Sequence, residues 1–154
     1  MVEVGENAPE LGLPDETGKV WKLGDLTGKK VVLYFYPRDD TPGCTIEACS
    51  FRDRLKAFKE AGAVVIGVSA DSVESHKKFK EKHLLNFPLL SDEKRIACGA
   101  YGVWREKNLY GKKFMGIVRT TFLIDSQGMI AHVFPKVNPL GHDRQVLEKL
   151  REIK

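Results

Sequence analysis

Cys44 and Cys49 stand five residues apart at the end of the stretch Pro37-Arg38-Asp39-Asp40-Thr41-Pro42-Gly43-Cys44-Thr45-Ile46-Glu47-Ala48-Cys49. Thiolates are nucleophiles and two-electron reductants, so a close pair points to redox chemistry. An apolar run, Val31 to Tyr36, precedes the stretch and reads as a buried strand. Ile46 to Glu60 follows and reads as an amphipathic helix, so Cys44 falls where a strand has ended and a helix begins. The free N–H groups and the dipole of a helix start stabilise an anion there. Thr41, Thr45, Glu47 and Pro42-Gly43 argue against the alternative for Cys44, a small buried core residue. Cys49 alone would carry less weight. Cys98, within Arg95-Ile96-Ala97-Cys98-Gly99-Ala100, reads as a core cysteine.

The spacing constrains the chemistry. On an ideal helix, five residues give a rise of about 7.5 Å, with side chains about 140° apart and Cα atoms about 8.7 Å apart. A disulfide needs the Cα atoms within about 7 Å. A helical segment therefore cannot join Cys44 to Cys49 without unwinding. A C-x-x-C pair would sit about 5 Å apart and keep its backbone. The C-x4-C pair instead suits a mechanism in separate steps. Cys44 meets an oxidant and becomes a sulfenic acid, the helix opens, and Cys49 attacks the Cys44 sulfur. The segment from 44 to 49 is expected to be helical when reduced and to lose helix when the sulfurs are joined.

The elements that must hold this pair are legible as a pattern. Ala8 to Leu13 and Lys19 to Leu23 flank Pro14-Asp15-Glu16-Thr17-Gly18, a short hairpin. Val31 to Tyr36 is apolar on both faces, as in a covered central strand, and Pro37 ends it. Phe51, Leu55 and Phe58 form the buried stripe of the next helix, which Gly62 stops. Ala63 to Ser69 is a second apolar strand, and Asp71 or Ser72 caps a helix from Val73 to His83. Phe87 to Leu90 reads as an extended link, and Ser91-Asp92-Glu93 as the cap of a helix carrying Ile96 and Cys98. Lys107 to Lys113 is a loop or hairpin, Arg119 to Asp125 and Met129 to Phe134 bracket a hairpin turn, and Gly141 to Lys154 is a helix. The order gives an α/β fold with a central mixed sheet flanked by helices, in a single domain spanning 1–154.

Composition excludes several classes. Hydrophobic residues make up 42% and charged residues 30%, the balance of a soluble globular chain. The net charge of +4 comes from lysines dispersed among glutamates on helix faces, without a nucleic-acid-binding signature. Three cysteines argue against a disulfide framework. The histidines at 76, 83, 132 and 142 lack metal-ligand spacing and read as surface or hydrogen-bonded residues, so neither a metal nor another cofactor is expected. The N-terminus shows no signal-peptide pattern, and no apolar run is long enough to cross a bilayer, so a cytoplasmic location without membrane partners is expected.

Pro37-x3-Thr41-x2-Cys44 resembles the active-site motif of peroxiredoxins, and Thr41-Pro42-Gly43-Cys44-Thr45-x-Glu47-x2-Cys49 is similar to the subgroup called PrxQ or bacterioferritin comigratory protein. Co-linear matches extend the resemblance over nearly the whole chain: Gly5-x2-Ala8-Pro9, Gly67-Val68-Ser69, Phe87 to Asp92, Tyr101-Gly102-Val103-Trp104 and Arg119-x-Thr121-Phe122-Leu123-Ile124-Asp125. The resemblance implies a thioredoxin-like fold and reduction of hydrogen peroxide and organic hydroperoxides. It also implies recycling by thioredoxin or a similar dithiol, and a monomer. By position it implies that Cys44 is the peroxidatic cysteine and Cys49 the resolving one. Thr41 would bond the thiolate and the peroxide, Pro37 would shield the pocket, and Arg119 would be the cation beside the sulfur. Gly43 lines the substrate site in this reading, and Glu47 is a local support. Two rivals stand beside it. A thioredoxin-like thiol–disulfide oxidoreductase would carry C-x-x-C and a proline where Arg119 stands. A non-catalytic redox-sensing or holdase protein would not consume peroxide.

Overall fold

The computed structural model describes residues 1–153. In chain order the elements are β1 (Leu13–Pro14), β2 (Val20–Trp21), a 3-10 turn (Leu23–Leu26), β3 (Lys30–Phe35), α1 (Pro42–Asp53), α2 (Leu55–Glu60), β4 (Ala63–Ser69), α3 (Val73–His83), β5 (Leu89–Ser91), α4 (Ile96–Tyr101), β6 (Trp104–Leu109), β7 (Lys112–Ile117), β8 (Thr120–Ile124), β9 (Ile130–Phe134) and α5 (His142–Glu152). Five strands form the central sheet in the order β5-β4-β3-β8-β9. β3 runs parallel to β4 and antiparallel to β8, so the sheet is mixed, as the pattern predicts.

β3 sits at the centre, and its alternation divides the core. Val32, Tyr34 and Tyr36 face one layer with Cys44, Ala48, Phe51, Phe58, Phe79 and Leu150. Val31, Leu33 and Phe35 face the other with Ile66, Leu90, Cys98, Tyr101 and Phe122. Helices α1, α2, α3 and α5 thus cover one side, and α4 with the N-terminal segment covers the other. Burial on both sides explains why β3 reads as an unbroken apolar run.

Four elements differ from the sequence pattern. The helix expected over 46–60 begins earlier and is two helices. Pro42 takes the first helical position, where its missing N–H leaves no orphan. Arg54 leaves helical geometry (φ −108°, ψ 10°) and donates from Nε to Asp143 of α5. The stretch expected as a link at 87–90 contributes β5, because residues 89–91 pair in parallel with β4 at Gly67 to Ser69. α4 starts at Ile96, four residues past Asp92, whose carboxylate still caps it by accepting the N–H groups of Ile96 and Cys98 at 3.0 and 2.8 Å. The N-terminal hairpin is present but pairs only Leu13 with Trp21 and Pro14 with Val20. Elsewhere β4 and α3 match the expected bounds, and Ser72 caps α3 by accepting the Ser75 N–H. No helix of the described residues is long and apolar enough to cross a membrane.

Candidate active site

β3 delivers the chain to the loop at 37–41, and α1 carries it away. Thr41 is the N-cap residue of α1, in an extended conformation, and Cys44 is the third residue of the helix. The amides of Gly43 and Cys44 therefore lie in the first turn, where N–H groups have no partner within the helix. Cys44 is 1% exposed, against the aromatic layer of Tyr34, Tyr36 and Phe51.

Arg119 comes from the segment just before β8. Its Nη2 donates to Cys44 Sγ at 3.3 Å, and its Nη1 donates to Glu47 Oε1 at 2.7 Å. One planar guanidinium thus bridges the sulfur and a carboxylate lying one helical turn beyond it. Glu47 is fully buried, and its Oε2 has no hydrogen-bond partner. Burial pushes its carboxyl up to about 7, against the opposing pull of Arg119. Burial works against the Arg119 charge as well, but Glu47 and Cys44 outweigh it and raise the guanidinium above its ordinary value. Gly43 packs closely against this guanidinium. A Cβ there would lie 3.2 Å from Arg119 Nη2, so that the guanidinium would have to shift by a few tenths of an ångström, and would touch Pro139 Cγ at 3.4 Å.

The remaining sequence candidates fall into place unevenly. Pro37 is half-buried where the loop leaves β3. The Thr41 hydroxyl donates to the Arg38 carbonyl at 2.9 Å, so in this state it closes its own loop rather than bonding the Cys44 sulfur. Cys49 is half-buried on α1, and Cys44, Cys49 and Cys98 are all free thiols. The reduced pair thus occupies one continuous helix through 44–49, as the spacing requires. Burial and then Asp92 push the Cys98 thiol far above its ordinary value, consistent with a core residue.

Sequence reasoning gave Glu47 too little weight. Its i, i+3 relation to Cys44 on a helix was the available signal. Pro139 carried no signal, since a loop 95 residues beyond Cys44 brings it to Gly43. Lys107, on β6, also feels the site. Burial and the nearby Arg119 hold its amine below the ordinary value. Asp39, Asp71 and His76 have donor atoms close enough together for a metal ion. Each residue already bonds protein groups, however. His76 Nδ1 meets Asp39, its Nε2 meets the Leu90 carbonyl, and Asp71 Oδ2 takes the Ser69 hydroxyl and the Asp39 N–H. The trio is a closed hydrogen-bond cluster.

A guanidinium on a buried thiol at a helix start can hold a thiolate and stabilise negative charge leaving it. Comparison with known proteins bears on what that chemistry serves. A sequence profile of the AhpC/TSA family matches residues 4–133. The chain belongs to this family. A putative peroxiredoxin bcp of Coxiella burnetii is 54% identical over 149 residues, covering 97% of this chain and 99% of the relative. Peroxiredoxin Bcp of Bacillus subtilis is 49% identical over 152 residues, covering 99% and 97%. Among solved structures, the bacterioferritin comigratory protein of Xanthomonas campestris superposes with a TM-score of 0.90 at 38% identity, covering 97% of this chain and 98% of that one. These matches assign this AhpC/TSA chain to the PrxQ/Bcp subgroup, with a thioredoxin-like fold and a thiol peroxidase activity.

Proposed function

We propose that Cys44 is the peroxidatic residue of this peroxidase and Cys49 its resolving partner, within a single thioredoxin-like domain. The observation that carries the reading is the Arg119 guanidinium donating to both Cys44 Sγ and Glu47 Oε1. The Cys44 thiolate attacks the terminal oxygen of a hydroperoxide. The S–O bond forms as the O–O bond breaks, Cys44 becomes a sulfenic acid, and the departing alkoxide or hydroxide takes a proton to leave as alcohol or water. Arg119 stabilises the anion before attack and the leaving oxygen during it. Pro37 and Gly43 wall the approach. Thr41 reaches the peroxide by turning its hydroxyl away from the Arg38 carbonyl.

The second step uses Cys49. α1 opens between residues 44 and 49, the Cys49 thiolate attacks the Cys44 sulfur, and hydroxide leaves as water after protonation. A dithiol reductant of the thioredoxin type returns both thiols. Hydrogen peroxide and alkyl hydroperoxides are the proposed substrates, the latter supported by the alkyl peroxide reduction named for the Xanthomonas campestris relative. We further propose a cytoplasmic monomer that binds neither nucleic acid nor membrane, which cell fractionation and mass measurement in solution test.

Stopped-flow peroxide consumption with reduced protein tests the reading. Wild type and Cys49→Ser should share a fast first turnover, and Cys49→Ser should then stall with thioredoxin as reductant. Normal turnover of Cys49→Ser would remove Cys49 from the resolving role. Circular dichroism should show helix lost on forming the disulfide, and a disulfide form with a regular helix through Cys49 would overturn the opening step.

A further inference from the structure

The peroxidase steps leave a buried histidine on α3 without a use. His76, on α3, is fully buried. Its Nε2 lies 2.8 Å from the Leu90 carbonyl oxygen on β5, and its Nδ1 lies 2.7 Å from Asp39 Oδ2. A carbonyl oxygen only accepts, so Nε2 carries a hydrogen. Asp39 also takes the Tyr36 hydroxyl at 2.6 Å and the Ser75 hydroxyl at 2.8 Å. A carboxylate ringed by donors accepts from all of them, so Nδ1 carries a hydrogen as well. With Asp39 ionised, the ring is then an imidazolium paired with it, the two side chains being 0% and 4% exposed.

Every neighbouring element contributes to this cluster. Asp39 faces the ring from the loop after β3, Tyr36 from the end of that strand, Asp71 from the turn between β4 and α3, and the Leu90 carbonyl from β5. Burial opposes the charge, and the bond to Asp39 overcomes it, so the imidazole is held above its ordinary value. Asp39 is fixed a second time through its backbone, whose N–H donates to Asp71 Oδ2 at 2.8 Å. Asp39 stands two residues from Pro37, two from Thr41 and five before Cys44. The cluster therefore grips the middle of the loop that aims the peroxidatic helix.

We propose that His76 is a positioning residue. As a buried cation acting through Asp39 it clasps the Pro37–Thr41 loop in the geometry that reacts with peroxide, and losing its proton loosens the loop and slows Cys44. The inference rests on the Cys44 reading given above. Its direction with pH follows from linkage. The folded ring binds its proton more tightly than an unfolded histidine does. Its contribution is therefore complete below about pH 6.5 and fades as pH rises through the higher folded value.

The test begins with nitrogen-15 NMR of the histidine rings in the reduced wild type. An ordinary histidine turns neutral, with one pyridine-like nitrogen, as pH rises through about 6.5. His76 should keep hydrogen on both nitrogens to a higher pH than that, and a midpoint at or below the ordinary value would overturn the proposal. The second arm is the stopped-flow rate constant for hydrogen peroxide, followed from about pH 6 to about pH 10. Wild type should show a downward step that coincides with the NMR titration of His76. Asp39→Asn exchanges the charged pair for a neutral one, with the amide donating to Nδ1, and should lose that step. His76→Gln should also lose it, with a rate about tenfold lower at neutral pH from a misplaced loop. A step that survives in Asp39→Asn or in a folded His76→Gln would overturn the proposal. Failure of the Cys44 reading is separately visible, because Cys44→Ser would then consume peroxide as wild type does while the ring spectrum stayed unchanged.

Discussion

Two cysteines of this peroxidase occupy matched helix positions in opposite surroundings. Cys44 is the third residue of α1 and Cys98 the third residue of α4. Both are buried, at 1% and 0% exposure. The neighbours differ in sign. Arg119 donates to the Cys44 sulfur, whereas Asp92, four residues before α4, takes the N–H groups of Ile96 and Cys98. A carboxylate there satisfies the donors that would otherwise meet a thiolate, and it repels the anion. Helix position alone therefore does not set the surroundings of a thiol. What matters is which group claims the first-turn amides and what charge faces the sulfur.

The largest test of this contrast is to remove each thiol. Cys44→Ser should lower the rate of peroxide consumption by at least about 10³-fold, leaving only background reaction. Cys98→Ser should leave the rate unchanged while costing about 1–2 kcal/mol of stability in urea, for a polar group placed in the core. Loss of activity in the Cys98 variant would break the comparison. Next in size is the cation. Arg119→Ala should reduce the rate constant about 10²–10³-fold, and Arg119→Lys should recover only part of it, because an ammonium lacks the fork that spans Cys44 and Glu47.

Glu47 gives a third test, through pH. Its folded value of about 7 lies above the unfolded value of about 4.3. The folded state therefore holds the proton more tightly, and the associated stability is complete below about pH 4.3 and lost as pH rises through about 7. Over that window the change is on the order of 3 kcal/mol, and Glu47→Gln should flatten this part of the stability profile. Chemical denaturation at several pH values measures it, and a Gln variant with the same slope as wild type would remove Glu47 as the source. The smallest effect belongs to α4. Asp92→Ala should cost about 1–2 kcal/mol through the lost cap and should speed alkylation of Cys98 in the folded protein. A Cys98 just as inert without Asp92 would show that burial alone silences it.

Much of the fold is legible in the sequence. The apolar run at Val31 to Tyr36 and the turn residues Ser126 to Gly128 gave strands their places, since burial on both faces and a tight turn each leave a direct mark on the sequence. α3 was bounded correctly because Ser72 is a cap and the pattern ends at His83. β5 was not legible. Three residues carry too little period to identify a strand, and Leu89 to Ser91 becomes one only because β4 offers an open edge. The start of α1 was legible only in part: Pro42-Gly43 marks a helix start, but the apolar pattern begins at Ile46, four residues after the first helical position at Pro42.

The site divides the same way. The sequence alone determined that Cys44 and Cys49 cannot be joined on an intact helix, because that conclusion needs only rise and rotation per residue. It also placed Glu47 one turn from Cys44. Only the tertiary structure decided which charges meet the sulfur. Arg119 lies 75 residues from Cys44, and the antiparallel register that sets Phe35 opposite Thr120 carries it to the end of β3, beside the loop. The parallel register of β4 and β5 likewise brings the Leu90 carbonyl under His76. Spacing along a chain fixes local geometry, but the sign of a neighbouring charge depends on strand pairing across the sheet, which no local pattern encodes.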